Sequence, residues 1–277
     1  MSGQPVTFER FRGLYDKRLK QVYAYWSPRM QDEIGSHCAG WRTGRFDFGA
    51  YLSRSVIRFH RAYRALAVSG CRTVCDVGGM WGLLPLVLRD LGYDVCMTEA
   101  RSYYSASFDP LFSFIEKEGV EIRDYDPFGD ETRLDRTFDG VLAMAILEHF
   151  PHSLKGFMSN VKRLIPTDGM LYLEVPNIAF WPKRFAFLRG ASPLTPIEEI
   201  YESEVPFIGH HHEFTMGELR VLARYAGLEI VAEDYYNYSA DATIAATLRD
   251  PLRTIVPALV KTARECLAVV CRKNGHS

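Results

Sequence analysis

The stretch Thr73-Val74-Cys75-Asp76-Val77-Gly78-Gly79-Met80-Trp81-Gly82 runs from apolar residues through glycines into a second apolar segment, Leu83 to Leu91. Residues of these types in this order can cradle a nucleotide cofactor. Gly78, Gly79 and Gly82 let the backbone turn tightly with no side chain between peptide and ligand, and a helix N-terminus follows them. Asp76 closes the apolar run, where its carboxylate reaches the cofactor or organises the turn. Glu99 stands 17 residues beyond Gly82, close to the spacing of about 20 at which an acid accepts hydrogen bonds from ribose hydroxyls.

A second group of residues carries acid–base chemistry. His149 lies in Leu147-Glu148-His149-Phe150-Pro151, and His210, His211 and His212 lie in Gly209-His210-His211-His212-Glu213-Phe214. Histidine titrates near neutrality and is the natural base for a reaction that removes a proton. His149 is the leading candidate because it follows a buried strand; His210 and His212 are alternatives that an extended backbone points the same way. Three adjacent histidines suggest a metal, but no partner spacing identifies converging ligands, so none is expected.

The Asp76 to Gly82 string resembles motif I of the class I S-adenosylmethionine methyltransferases, D/E-x-G-x-G-x-G, with Met80 in place of the middle glycine. In that family an acid after the third strand faces the adenine amino group, which implies Asp124 or Asp126 here, the register deciding which. Phe138-Asp139-Gly140-Val141 followed by Leu147-Glu148-His149-Phe150-Pro151 resembles the branch acting on small molecules, quinones, lipids and glycans. The G-H-x-H-E-F-T pattern from Gly209, then E-L-x-x-L-x-x-x-A-G-L from Glu218, resembles bacterial enzymes associated with cell-surface glycans and lipids. Related ubiquinone-pathway O-methyltransferases carry an acid three residues before the Glu of E-H. Ala145 occupies that position, which places it beside the cofactor and argues against their metal arrangement.

These groups need a scaffold that brings strand ends together. Buried-strand patterns occur at 73–77, 93–99, 120–125, 138–146, 170–175, 228–232 and 266–271, and helical patterns at 48–67, 83–91, 108–119, 154–164 and 215–226. Strand and helix alternate, as a doubly wound sheet requires. The fold expected is α/β, a Rossmann-like doubly wound seven-stranded sheet with an antiparallel terminal hairpin, an N-terminal helical cover and an inserted lid. Residues 1–70 form a helical cover, with a lid over the site as the alternative for its first helix, and are rich in rings such as Phe11, Tyr15 and Trp26 that are expected mostly in the core. Residues 71–277 form the methyltransferase domain. Within it, 178–214 lacks strong periodicity and matches the acceptor lid of related enzymes, and 248–264 reads as an inserted amphipathic helix. That helix is expected to pack on the sheet, with contact to a membrane surface as the alternative.

The chain has 277 residues, 47% of them hydrophobic, with a formal net charge of −1. That balance gives no general attraction to nucleic acid, and no N-P-P-Y or Pro-Cys string for base methylation occurs. Six scattered cysteines without a C-x-x-C pair read as reduced core thiols. No run approaches the roughly 20 apolar residues of a membrane span, and the N-terminus carries no signal-peptide pattern, so a cytoplasmic protein is expected. The resemblance implies S-adenosylmethionine as cofactor and in-line methyl transfer, with a hydroxyl on a sugar, glycolipid or secondary metabolite as the leading acceptor. A carboxylate or amine acceptor is the alternative within the family. A cofactor-binding protein that has lost catalysis is the alternative outside enzymology, motivated by Met80 and Ala145. A nicotinamide oxidoreductase ranks last because its G-x-G-x-x-G spacing is absent.

Overall fold

A computed structural model describes residues 4–36, 47–129, 134–205, 207–239 and 251–274. The chain opens with α1 (Phe8–Tyr23), α2 (Pro28–Ser36) and α3 (Phe48–Ser69). Asp47 caps α3 by accepting the Ala50 N–H at 2.9 Å, and Gly70, left-handed at φ 72°, ends it. Then follow β1 (Thr73–Val77), α4 (Leu83–Asp90), β2 (Asp94–Glu99), α5 (Asp109–Lys117), β3 (Glu121–Asp124), β4 (Gly140–Met144), α6 (Leu154–Arg163) and β5 (Met170–Pro176). The C-terminal part contains α7 (Trp181–Leu188), α8 (Ile197–Glu202), α9 (Met216–Tyr225), β6 (Leu228–Tyr236), α10 (Pro251–Leu259) and β7 (Cys266–Lys273).

The seven strands form one sheet in the order β3-β2-β1-β4-β5-β7-β6. The first five are parallel, and β7 slots between β5 and β6, antiparallel to both. This is the expected architecture. The order reverses between β1 and β4, so their C-terminal ends flank the crevice in which such sheets bind ligands.

Alternation along the strands builds two cores. Val141, Ala143, Leu171, Leu173 and Val175 pack toward α6 and α9, while Leu142, Met144, Met170 and Tyr172 pack toward the N-terminal helices. Glu174 continues the second series. It meets Arg58 of α3 in an ion pair whose side chains are 5% and 1% exposed. Arg58 also donates to the Tyr51 hydroxyl at 2.9 Å.

Phe11 and Tyr15 are fully buried, as the cover reading expects, but Tyr23 and Tyr25 are exposed. Arg18 fixes α1 by pairing with Asp90 and Glu118, each at 2.6 Å. Five cysteines, at 71, 75, 96, 266 and 271, are free and buried; Cys38 lies outside the described residues. No described helix is long and apolar enough to cross a membrane.

Three expectations need correction. Residues 178–214 are not irregular throughout. Pro182 and Pro196 start the short helices α7 and α8, whose rows of exposed apolar residues break the usual amphipathic signal. β6 runs on to Tyr236 because β7 supplies a partner along its whole length, across an irregularity between Ile230 and Ala232. The segment read as a helix over 248–264 is shorter: 248–250 lie outside the described residues, and α10 ends at Leu259. α10 lies beside α7, and Ile255, Leu259 and Val260 are exposed rather than packed on the sheet.

The Arg58–Glu174 pair gives a stability test. Removing one partner leaves the other charge buried, so Arg58→Met is expected to lower unfolding stability by about 3–5 kcal/mol. The double variant Arg58→Met/Glu174→Leu, which removes both charges, is expected to recover most of that loss. Urea unfolding of the three proteins measures both.

Candidate active site

The cradle lies at the C-terminal ends of β1 and β2. Gly78 and Gly82 take φ of 65° and 64°, and Met80 takes 42°, a left-handed conformation rare for a residue with a side chain. The turn that the resemblance assigns to a middle glycine is therefore kept with methionine in it. The Gly78 N–H donates to the Thr98 carbonyl at 2.9 Å, and the Gly82 N–H to the Gly79 carbonyl at 3.0 Å. A Cβ on Gly79 would lie 2.7 Å from Met97 Cγ and 2.9 Å from Asp76 Oδ2.

Glu99 is 3% exposed. One of its oxygens accepts the Met80 N–H and the other accepts the Tyr104 hydroxyl at 2.7 Å. A carboxylate has about four lone-pair sites, so Glu99 can still accept ribose hydroxyls. Burial pushes Glu99 up to about 7 against the lowering effect of those two bonds. Asp76, also buried, is pushed up to about 8 by burial and then by the Glu99 charge. An open glycine backbone above buried, unneutralised carboxylates fits a cofactor carrying hydroxyl and amino donors.

The N-terminal helices complete the surroundings. Trp26 and Phe48 stack edgewise on Trp81 of the cradle, with centroids 4.9 and 5.3 Å away. Glu33 of α2 accepts the Ser105 N–H at 2.6 Å and the Ser107 hydroxyl at 2.6 Å beside β2. Asp124 accepts the Arg101 N–H at 3.0 Å, and Asp126 accepts the Phe128 N–H at 2.9 Å within its own turn. Both acids therefore shape the loops after β2 and β3.

The second half of the site hangs from β4. Ala145 is left-handed at φ 54°, and its N–H donates to the Glu174 carbonyl at 2.9 Å. A single 3-10 turn, Leu147–His149, then presents Glu148 and His149. The lid folds back onto this turn: the His211 N–H donates to the Glu148 carbonyl at 2.7 Å. His149 Nδ1 lies 2.6 Å from the Ile208 carbonyl. A carbonyl only accepts, so Nδ1 carries the proton and Nε2 holds the lone pair.

His210 Nδ1 lies 2.9 Å from Glu213 Oε1, and Glu213 also pairs with Lys183. Burial raises Glu213, but the bonds from His210 and Lys183 outweigh it and hold its pKa below the usual value. Its carboxylate therefore accepts, and His210 too presents Nε2. The His149 and His210 rings meet edge to face at 5.0 Å. Burial pushes His149 down to about 4 and Glu148 up to about 7, with His210 opposing the rise of Glu148.

The structure brings His149 and His210 together and separates His212 from them. The lid bends here rather than extending, so alternation does not hold. His212 lies 3.3 Å from Glu218 and packs on Phe214, and the exposed His211 lies 3.0 Å from the Phe207 carbonyl. Glu148 and Glu213 were not singled out as functional from sequence. Their adjacency to the candidate histidines, with Glu213 three residues beyond His210, was the available signal.

A doubly wound sheet of this order, with a glycine turn after β1, a buried acid ending β2 and titratable groups after β4, is a Rossmann-like arrangement for binding a nucleotide cofactor. A family model described as a methyltransferase domain matches residues 45–233, and the chain belongs to that family. It is an S-adenosylmethionine-dependent methyltransferase. No curated protein matches the chain.

Solved structures share the fold. The 1,6-didemethyltoxoflavin-N1-methyltransferase of Burkholderia thailandensis, bound to 1,6-didemethyltoxoflavin and S-adenosylhomocysteine, is similar at 18% identity and TM-score 0.51, over 88% of this chain and 87% of that one. An S-adenosylmethionine-dependent methyltransferase from Archaeoglobus fulgidus is similar at 16% identity and TM-score 0.53, over 80% and 95%. The N-methyltransferase NodS of Bradyrhizobium japonicum is similar at 10% identity and TM-score 0.50, over 79% and 96%.

Two expectations test the cradle. With Glu99 as the ribose acceptor, Glu99→Gln should weaken S-adenosylhomocysteine binding by about 1–3 kcal/mol. Because hydroxyls donate to the ionised carboxylate, wild-type affinity should be full above the Glu99 pKa of about 7 and fall as pH drops through it. Calorimetry in buffers of different ionisation enthalpy should record proton release at that pH, and a pH-independent affinity would remove Glu99 from the contact. At position 80, Met80→Gly should keep cofactor affinity and, by relieving left-handed strain, raise stability by about 1–2 kcal/mol, read by thermal unfolding.

Proposed function

We propose that the enzyme methylates a hydroxyl oxygen on a sugar, glycolipid or secondary metabolite, and that the histidine cluster beside β4 takes the hydroxyl proton. The observation that carries this reading is the His210–Glu213 pair facing His149 at the end of the crevice. A hydroxyl must lose a proton held far above neutral pH, whereas a neutral amine already offers its lone pair. A carboxylate-backed imidazole therefore has a task in O-methylation that an amine acceptor does not set.

S-adenosylmethionine supplies an electrophilic methyl group for in-line displacement. The backbone at Gly78, Gly79 and Gly82 would hold it, with Asp76, Glu99 and Ala145 around it and Asp124 or Asp126 toward the adenine. Much of the rate comes from alignment and exclusion of water, tasks for the lid at 178–214 and the cover at 1–70. His210 is the better base. Glu213 accepts from its Nδ1 and so fixes the tautomer that leaves Nε2 free, while burial keeps His149 a weak base that anchors the lid through Ile208. His212, turned toward Glu218, has no part in proton removal.

Exposed Phe187 and Leu188 on α7, with Leu259 on α10, support an acceptor carrying a lipid portion or peripheral contact with a membrane. Five free, buried thiols support a cytoplasmic site of action.

The reading is tested by labelled methyl transfer to a panel of hydroxyl and amine acceptors. Transfer to hydroxyls is expected, and His210→Ala should lower turnover by roughly 10²–10⁴-fold while S-adenosylhomocysteine affinity is kept. His212→Ala should leave turnover near wild type. Transfer to amines alone, or full activity in His210→Ala, would overturn the reading.

A further inference from the structure

Glu148, His149 and His210 each offer a ligand atom within 4.8 Å of the others. Their surroundings prepare them for more than proton transfer. Both imidazoles have Nδ1 engaged, His149 by the Ile208 carbonyl at 2.6 Å and His210 by the Glu213 carboxylate at 2.9 Å, and both hold a lone pair on Nε2. Histidines that bind metals are held in this way, with the second ring nitrogen donating to a carbonyl or carboxylate. Glu148 adds an independent sign. It is 1% exposed, and its Oε2 meets no hydrogen-bond partner among the described residues. An orphaned buried carboxylate oxygen is costly, and a cation would satisfy it.

No hydrogen bond from the other charged groups reaches that oxygen. Arg58 pairs with Glu174 and acts on Glu148 through its charge alone, and Lys183 pairs with Glu213. We propose that Glu148, His149 and His210 form a binding site for a divalent transition-metal ion, with Zn²⁺ the best match to the donor set. Two imidazoles and one carboxylate with positions left open make a catalytic type of zinc site, whereas Mg²⁺ and Ca²⁺ take oxygen donors. Closing on bonds of about 2.0–2.2 Å requires the donors to draw together. His210, carried by the lid and 37% exposed, is the donor with room to shift.

This arrangement is distinct from the one that Ala145 argues against, because its third donor comes from the lid. Held by these three residues, an ion would supply Lewis-acid polarisation of an acceptor oxygen with Nε2 of His210 as a ligand, whereas without an ion Nε2 is free to act as the base of the proposed reaction. The site goes beyond the proposed reaction, and its existence does not depend on it.

The test uses the full chain stripped with EDTA, dialysed, and titrated with Co²⁺ while visible absorption is recorded, followed by competition with Zn²⁺. One equivalent of Co²⁺ is expected to bind with a ligand-field spectrum that Zn²⁺ abolishes. Glu148→Gln and His210→Ala should each weaken Co²⁺ binding by at least about tenfold, and Glu213→Ala, which frees His210 Nδ1, by about 10–100-fold. S-adenosylhomocysteine affinity, measured on the same samples, reports that each variant is folded. No Co²⁺ uptake by the wild type, or equal uptake by folded variants, would overturn the proposal. Methyl transfer by the EDTA-treated protein is measured in parallel and reports on the proposed reaction alone, so the two readings fail separately.

Discussion

One buried cation organises the acidic heart of the molecule. Arg58 enters from α3, pairs with Glu174 on β5, and lowers the pKa of both Asp76 and Glu148 from beneath the crevice. Four buried carboxylates, Asp76, Glu99, Glu148 and Glu174, are thus gathered near the C-terminal ends of neighbouring strands, and the Arg58 guanidinium acts on three of them, Asp76, Glu148 and Glu174. In a low-dielectric interior such a group is tolerable only if positive charge is supplied. Arg58 supplies it for Glu174, and the remaining acids stay raised toward neutral pKa values, ready to exchange a proton for a ligand's donors. The same contact ties the N-terminal helices to the sheet, so the cover is held by the electrostatics of the site it covers.

Among the described residues, two with side chains are left-handed. Met80 lies in the turn after β1 and Ala145 after β4, on opposite sides of the switch point in strand order. Each conformation is secured by a main-chain hydrogen bond, from the Met80 N–H to Glu99 and from the Ala145 N–H to the Glu174 carbonyl. Strain held in place by its surroundings is common at ligand sites. Here it aims the two loops at one another across the crevice.

Much of this was legible in the chain. The glycine turn, the acid ending β2 and the strand-helix alternation follow from local spacing, because each feature is contained within one short segment. Met80 read as a departure from the motif, yet a hydrogen bond from its N–H to the Glu99 carboxylate, a tertiary contact invisible to local pattern, keeps it in the glycine's conformation. The histidine cluster escaped for a related reason. Glu148 and His149 belong to one segment and His210 and Glu213 to another, so spacing within either segment says nothing about their convergence. The alternation argument for His212 failed because two lid N–H groups, of His211 and His212, both point at the Glu148 carbonyl and bend the chain.

The lid is anchored where it begins and ends, with the Ile178 N–H donating to the Phe214 carbonyl at 3.0 Å. Such a closed loop looks like a module that evolution can exchange without disturbing the sheet. Yet this one carries His210 and Glu213, and through Ile208 it fixes the ring of His149. A descendant that acquired a new lid would acquire a new set of titratable groups with it. With the lid covering the acceptor as proposed, which molecule is recognised and how its proton is handled would be inherited as a single trait.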